Sequence, residues 1–409
     1  MSEQKTTFAV VGATVHTVAG PVYEPGTVVW ESGRITAVGP EDEVGLPDGC
    51  QRIEARGLQL TPGLVDAHAH IGVFNEAQGE DNWDGNETTD PVTPDLRVID
   101  ALNPHAVAFP DVLAAGVTTV CTLPGSANVI GGTGAAIRTR GRTVAEMLLS
   151  HPVGMKMALG FNPKGVYGGQ KKRPSTRMAN AAVLRTALQA AKSYGAKRAH
   201  HTDKAAAMKQ KPADKREPLP PFEVDLKHEA LQPVLRGELI ARCHAHRADD
   251  ILTALRVADE FGLRMSIEHC TEGYKVAGEL AAAGTTCVVG PHFIEMRYKA
   301  ELLGLNLANA AKLHRAGVEL CIQTDATWGV QWLTNNAAVC VAHGLPEEVA
   351  LRAITLNPAR LLGLEDELGS IEVGKRADLV LFAGDPLDIR SRVEAVWLDG
   401  AAAAGSPGR

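Results

Sequence analysis

The chain has 409 residues, of which 45% are hydrophobic and 22% charged, and a net charge of −7. That length exceeds one small domain and suits a large barrel with a smaller module. The negative balance gives no basic field for nucleic acid, and no run is long and apolar enough to be a membrane span.

Met1 to Ala9 lacks an apolar core, so no signal peptide is expected. The seven cysteines contain no C-x-x-C pair, and several sit in apolar strand-like runs. They read as small buried hydrophobes in a reducing cytoplasm. The 41 glycines and 23 prolines imply many tight turns.

In chain order, short strands come first: Thr7 to Val15, Thr27 to Glu31, Arg34 to Val38 and Gln51 to Glu54, separated by Gly, Pro and Asp turns. The texture then changes to strand and helix in alternation. Strands are predicted at Val65 to Ala69, Gly116 to Thr122, Arg264 to His269, Thr285 to Gly290 and Glu319 to Thr324, and helices at Pro104 to Ala115 and Ala248 to Phe261. Repeated βα units of this number predict an α/β fold of the (β/α)8 TIM-barrel type. Near the C-terminus the short-strand pattern returns, from Gly369 to Phe382 and from Val393 to Asp399.

One segment stands apart. Lys164 to Arg216 carries fourteen Lys or Arg against two acids, Asp203 and Asp214. It is expected to be a βα-loop insertion over about 164–220, helical from Ala181 to Tyr194, and to serve as a solvated surface, the alternatives being an anion-attracting rim beside the site and, last, a nucleic-acid site.

The strongest motif is Thr61-Pro-Gly-Leu-Val-Asp66-Ala-His68-Ala-His70. Alternate residues of a strand share a face, so His68 and His70 point the same way and suit a metal ion. Three later strands end in matching residues: His244 and His246 in one, His269 in the next, and Asp325 in the last. Catalytic groups of such barrels gather at these strand ends. Which of His244 and His246 is a ligand is not set by their spacing.

Lys156 lies in the apolar run Val153-Gly-Met-Lys156-Met-Ala-Leu. A bare ammonium there is poorly solvated and calls for a partner or a modification, unless the side chain reaches solvent. His292 follows a seventh strand and is either an oxyanion or substrate group or a plain loop histidine. The run Pro124 to Gly134 is a Gly-rich βα loop without the P-loop lysine. Gly132 within it and Tyr167 beyond it are expected on the substrate side.

Together, Thr61 to His70, Ile267-Glu-His269, Thr324-Asp325, Thr355-Leu-Asn-Pro-Ala-Arg and Gly369-Ser-Ile-Glu-Val-Gly-Lys-Arg-Ala-Asp-Leu-Val resemble the amidohydrolase superfamily. The chain is similar to its imidazolonepropionase-related branch, which includes metal-dependent dipeptidases. The resemblance implies a barrel over 62–361 and a β-sandwich made from 1–61 and 362–409. It implies His68, His70, His244 and Asp325 as ligands of one ion, with His246 beside the substrate. It also implies an N-carboxylated Lys156 bridging to a second ion on His269 in binuclear members, whereas His269 faces substrate in mononuclear ones. One or two divalent ions are expected, zinc first, with manganese, cobalt or iron as alternatives. A homo-oligomer acting on a small molecule is likewise expected.

Two departures narrow the reading. Imidazolonepropionases usually place an acid where this chain has His246, and deaminases often place a glutamate where it has Arg247. Hydrolysis of an amide-type C–N bond is therefore expected, with Asp325 as base and His269 and His292 near the oxyanion. The alternatives are an ester or lactone substrate with the same metal site, or a scaffold without catalysis.

Overall fold

Short strands from the two ends of the chain meet in one sheet. In the computed structural model, residues 6–74, 83–293 and 299–405 are described. The N-terminal strands are β1 (Thr7–His16), β2 (Val22–Glu31), β3 (Arg34–Pro40), β4 (Gln51–Glu54) and β5 (Gln59–Pro62).

The barrel elements follow. They are β6 (Leu64–Ala69), α1 (Ala108–Ala114), β7 (Val117–Thr122), β8 (Ile130–Arg138), α2 (Val144–Met147), β9 (Leu148–Ala158), α3 (Phe161–Gly169), α4 (Arg177–Gln210) and α5 (Leu226–Leu235). Next come β10 (Ala241–Ala245), α6 (Ala248–Phe261), β11 (Met265–His269), α7 (Ala277–Ala282), β12 (Cys287–Val289), α8 (Asn309–Arg315), β13 (Leu320–Ile322), α9 (Leu333–Ala342), α10 (Glu347–Ala353) and α11 (Leu356–Leu361). The chain closes with β14 (Leu379–Phe382), β15 (Val393–Leu398) and β16 (Ala401–Gly405).

The first sheet has the order β16-β15-β14-β5-β1-β2-β3, with β4 beside β1. Its seam is β5 against β14, where Thr61 pairs with Val380 and Leu60 with Leu381. Trp30 crosses it again by donating its indole N–H to the carbonyl of Gly400 at 3.0 Å. Both chain ends are thus joined as expected, but the pairing is that of one continuous sheet.

The second sheet runs β13-β12-β11-β10-β9-β8-β7-β6. Its two edges approach through backbone bonds from Asp325 N to His68 O (3.1 Å) and from His70 N to Ala326 O (2.8 Å). The strands are parallel except β8, which is antiparallel to both β7 and β9. This corrects the expected run of eight βα units. Only residues 123–129 separate β7 from β8, and a parallel crossover needs about a dozen residues or more. The short link therefore makes a hairpin, and half of the predicted Gly-rich loop becomes strand.

Strand alternation sorts the barrel side chains. Met155, Met157, Ala241, Cys243, Ala245 and Ile267 join the main apolar core with helix residues such as Leu184, Leu188 and Ala254. The alternate positions carry Asp66, His68, Lys156, Arg242, His244, Ser266 and Glu268, all buried. In register, Arg242 pairs with Lys156 and Ser266, and His244 with Glu268.

The basic segment is more helical than expected. Thr176 caps α4 by accepting a hydrogen bond from Ala179 N at 3.1 Å, and the helix runs on to Gln210. Its buried stripe, Asn180, Ala181, Leu184, Leu188, Ala191 and Tyr194, ends where the predicted helix ended. Past it, Ala, Lys, Met and Gln continue the helix by intrinsic propensity with little apolar packing.

Candidate functional site

Five strand ends place the site. His68 and His70 come from the end of β6, and His244 and His246 from the end of β10. His269 closes β11, and Asp325 follows β13. Lys156 rises from β9 beneath them. His269, Cys270 and Asp325 have φ of 67°, 48° and 52°. Non-glycine residues seldom hold this left-handed conformation, and it clusters at functional sites.

Asp325 is the hub. Its Oδ1 lies 3.1 Å from His70 Nε2 and 3.5 Å from His68 Nε2, and its Oδ2 lies 3.8 Å from His269 Nδ1. The rings of His244 and His269 are 4.4 Å apart, and His246 is 4.6 Å from each. Lys156 Nζ is 3.0 Å from His68 Nε2.

Burial sets the protonation. It pushes His68 and His269 down to about 3 and His244 and His246 well below the usual imidazole range, the neighbouring cationic groups adding to the effect. These imidazoles are neutral and keep a lone pair for a ligand. For Asp325 burial works the other way, but the facing histidines outweigh it and hold the carboxylate well below its ordinary value. Burial lowers Lys156 to about 8, against the pull of Asp325 and Glu268.

Supporting groups orient the ring nitrogens. His68 Nδ1 is 2.8 Å from Glu268 Oε2, and His70 Nδ1 is 2.8 Å from the carbonyl of Leu123. Arg242 donates to both oxygens of Glu268 at 2.6 and 2.9 Å, and Ser266 donates to Oε1 at 2.5 Å. His246 Nδ1 meets Thr271 Oγ1 at 2.7 Å, and Gln323 Nε2 meets His269 Nδ1 at 2.9 Å. Asp66 accepts from His68 N and Thr324 Oγ1, and burial raises its carboxyl to about 7.

None of Asp66, Arg242, Ser266, Glu268, Thr271 and Gln323 was singled out as functional from sequence. The available signal was charge inside apolar strands, at Arg242 and Glu268, the same signal that flagged Lys156.

Three expected residues sit elsewhere. His292 has its Nε2 3.3 Å from Cys340 Sγ on α9 and receives no hydrogen bond from the cluster among the described residues. Tyr167 is fully buried, and its hydroxyl donates to the carbonyls of Glu87 (3.1 Å) and Asp90 (2.8 Å), tying down that loop. Gly132 has φ 105°, and a Cβ there would meet the Leu96 carbonyl oxygen at 2.4 Å. Its role in the fold is to let the 96–97 segment approach β8, directly across from Lys156. Beside this approach lies a cavity of 320 Å³ lined by Trp83, Asp84, Leu96, Arg97, Pro124 and Gly131, among others.

The residues fit a divalent ion. Both ring nitrogens of His244 and Nε2 of His269 are buried with no hydrogen-bond partner. Buried polar atoms are normally paired, so these wait for a partner. Ligand atoms of His68, His269 and Asp325 lie within 4.8 Å of one another, as do those of His244, His246 and His269. Neutral imidazole with one carboxylate is a donor set suited to zinc and similar metals.

A barrel with imidazoles and a carboxylate gathered at the ends of its strands defines a class of hydrolase folds. The amidohydrolase family profile matches residues 59–404, and the chain belongs to that family. Its relation extends to the imidazolonepropionase-like members. It is 25% identical to an imidazolonepropionase of Geobacillus sp. (strain WCH70) over 412 residues, 88% of this chain and 84% of that one. It is 31% identical to "Amidohydrolase tasK" of Hapsidospora irregularis over 395 residues, 92% of this chain but 40% of that protein. The chain thus spans less than half the length of that relative.

A solved amidohydrolase from Thermotoga maritima MSB8 is 41% identical, covers 98% of this chain and 100% of its own, and superposes with a TM-score of 0.89. A prolidase complexed with N-methylphosphonate-L-proline, 20% identical with a TM-score of 0.59 over 98% of this chain and 100% of its own, shares the fold. Among the described residues, no helix is long and apolar enough to cross a membrane.

Proposed function

We propose that the protein hydrolyses an amide-type C–N bond of a small molecule, such as a cyclic amide, a dipeptide, an N-acyl amino acid or a carbamate-like compound, with the help of a divalent ion. The observation that carries this is the convergence of His68, His70 and His269 on the carboxylate of Asp325. His68, His70, His244, His269 and Asp325 are the residues that would hold metal. A bound ion would acidify water and polarise the scissile carbonyl.

The chain's own groups do the rest. Asp325 is ionised at neutral pH and accepts the proton of the attacking water, then returns it to the leaving nitrogen. Glu268 and the Leu123 carbonyl hold His68 and His70 in fixed tautomers with Nε2 turned toward Asp325. His292, with its Nε2 3.3 Å from Cys340 Sγ on α9, is given no role in this reading. Membership of the amidohydrolase family and the relation to proteins named imidazolonepropionase support the amide class over the ester and lactone alternatives.

The test is a panel of dipeptides, N-acyl amino acids and cyclic amides beside matched esters and lactones, run with the wild type and Asp325→Asn. Turnover of an amide that disappears in the variant is the expected result. Turnover confined to esters and lactones, or equal in both proteins, overturns the proposal.

A further inference from the structure

The segment leading into α8 crosses the end of β10, the strand that carries His244 and His246 and lies between β9 and β11. On the β9 side, Glu301 Oε2 accepts from Phe161 N at 2.9 Å. On the β11 side, the Tyr274 hydroxyl donates to the carbonyl of Gly304 at 3.1 Å. Each anchor stands two residues beyond a backbone bond to the site: Leu159 N donates to His244 O at 3.0 Å, and Glu272 N donates to His246 O at 2.8 Å. Residues 299–304 therefore span the barrel mouth beside these two histidines.

Lys299 opens this crossing. Its Nζ donates to Asn162 Oδ1 at 2.6 Å and lies 5.9 Å from the centre of the Phe161 ring. Asn162 Nδ2 in turn donates to Ser126 Oγ at 2.6 Å. Loops that follow β7, β9 and β12 thus meet at one ammonium. A neutral amide oxygen holds that group in place without cancelling its charge. The charge is felt in the site. Burial is the main reason that His244 and His246 lie well below the usual imidazole range, and Lys299 adds to it.

We propose that Lys299, positioned by Asn162 and Ser126, binds a carboxylate of the substrate, and that the substrate is an acidic amide of the N-acyl amino acid or dipeptide kind. This rests on the amide-hydrolase reading above and narrows it. A cation at the mouth draws anionic molecules in and fixes their orientation through a charge-assisted hydrogen bond. Cyclic amides and carbamates without an acid group gain nothing from it.

The experiment pairs each N-acyl amino acid and dipeptide of the panel with its analogue lacking the carboxylate, such as N-acetyl-L-leucine with N-isopentylacetamide. The readout is the ratio of kcat/KM for the acid to kcat/KM for its neutral analogue, both taken on one sample, so that any loss of folded protein cancels. A purely structural role, in which Lys299 only balances the buried Glu301, would leave this ratio unmoved.

The wild type should favour the acid by about 10–100-fold, the range expected of a hydrogen bond between charged groups. Lys299→Met should bring the ratio close to one, mainly through KM, and Lys299→Arg should retain most of it. Asn162→Ala leaves the ammonium less firmly held and should raise KM for the acid by about 2–10-fold with kcat changed less. This variant and Lys299→Arg decide the matter if Lys299→Met does not fold.

Equal hydrolysis of acids and neutral analogues by the wild type, or an unchanged ratio in Lys299→Met and Asn162→Ala, overturns the carboxylate site and leaves the amide reading in place. Turnover of no amide at all overturns both.

Discussion

Glu268 Oε2 lies 2.8 Å from His68 Nδ1 inside the barrel, and both side chains are completely shielded from solvent. The same carboxylate is held by Arg242, equally buried, so the histidine, the acid and the guanidinium form one unit. Burial would raise Glu268, but Arg242 and His68 outweigh it and keep the carboxylate well below its usual range.

Glu268→Gln leaves the Arg242 charge uncompensated. Removing one partner of a buried pair costs about 3–5 kcal/mol, which should appear as a large drop in melting temperature. Metal affinity should also fall by about 10–100-fold through loss of the His68 orientation. In Glu268→Gln with Arg242→Leu, stability should recover while metal affinity stays low. Recovery of both together would mean that Glu268 acts only on the fold.

Asp325→Asn preserves shape but removes the proton acceptor proposed at the hub of the site. Turnover should fall by roughly 10²–10⁴-fold, measured as kcat on an amide substrate under saturating metal. A turnover within a few-fold of wild type would place the base elsewhere.

Gly132→Ala tests the close approach beside Lys156. The added Cβ meets the Leu96 carbonyl oxygen at 2.4 Å, and φ is 105°. Strain of this kind costs about 1–3 kcal/mol, and thermal unfolding should show it. An unchanged melting temperature would mean that β8 can move away from the 96–97 segment.

Asp378, at the edge of β14, offers a pH test away from the proposed metal ligands. Burial raises its carboxyl from 3.8 to about 6, despite the hydrogen bond from Asp399 N. The folded state therefore holds the proton more tightly than the unfolded state. The stability this contributes is full below about 3.8 and is lost as pH rises through about 6. The loss amounts to about 2–3 kcal/mol. Asp378→Asn does not titrate, so its melting temperature relative to wild type should rise between pH 4 and pH 7.5. A constant difference across that range would contradict the assignment.

The clustering of the candidate residues was legible in sequence wherever a ligand-type residue ended an apolar strand, as at His68, His70, His244, His269 and Asp325. The helix Ala248–Phe261 was equally legible, because its apolar stripe and its boundaries coincide. What sequence hid were relations across strands. The pairing of Glu268 with Arg242 depends on register, and two charges 26 positions apart carry no sign of it. The reversal of β8 was hidden by its glycines, at 131, 132 and 134, which read as loop although they permit close strand packing. The length of α4 was underestimated because its second half lacks the apolar stripe on which the reading depended.

The central claim is that the imidazole and carboxylate centre cleaves amides only when it holds a divalent ion. The most direct measurement is the rate of amide hydrolysis before metal stripping, after it, and after return of Zn²⁺, Mn²⁺ or Co²⁺, with metal content determined on the same samples. The account predicts loss of activity on stripping and recovery in step with the metal regained. Hydrolysis by the stripped protein at the untreated rate would contradict it.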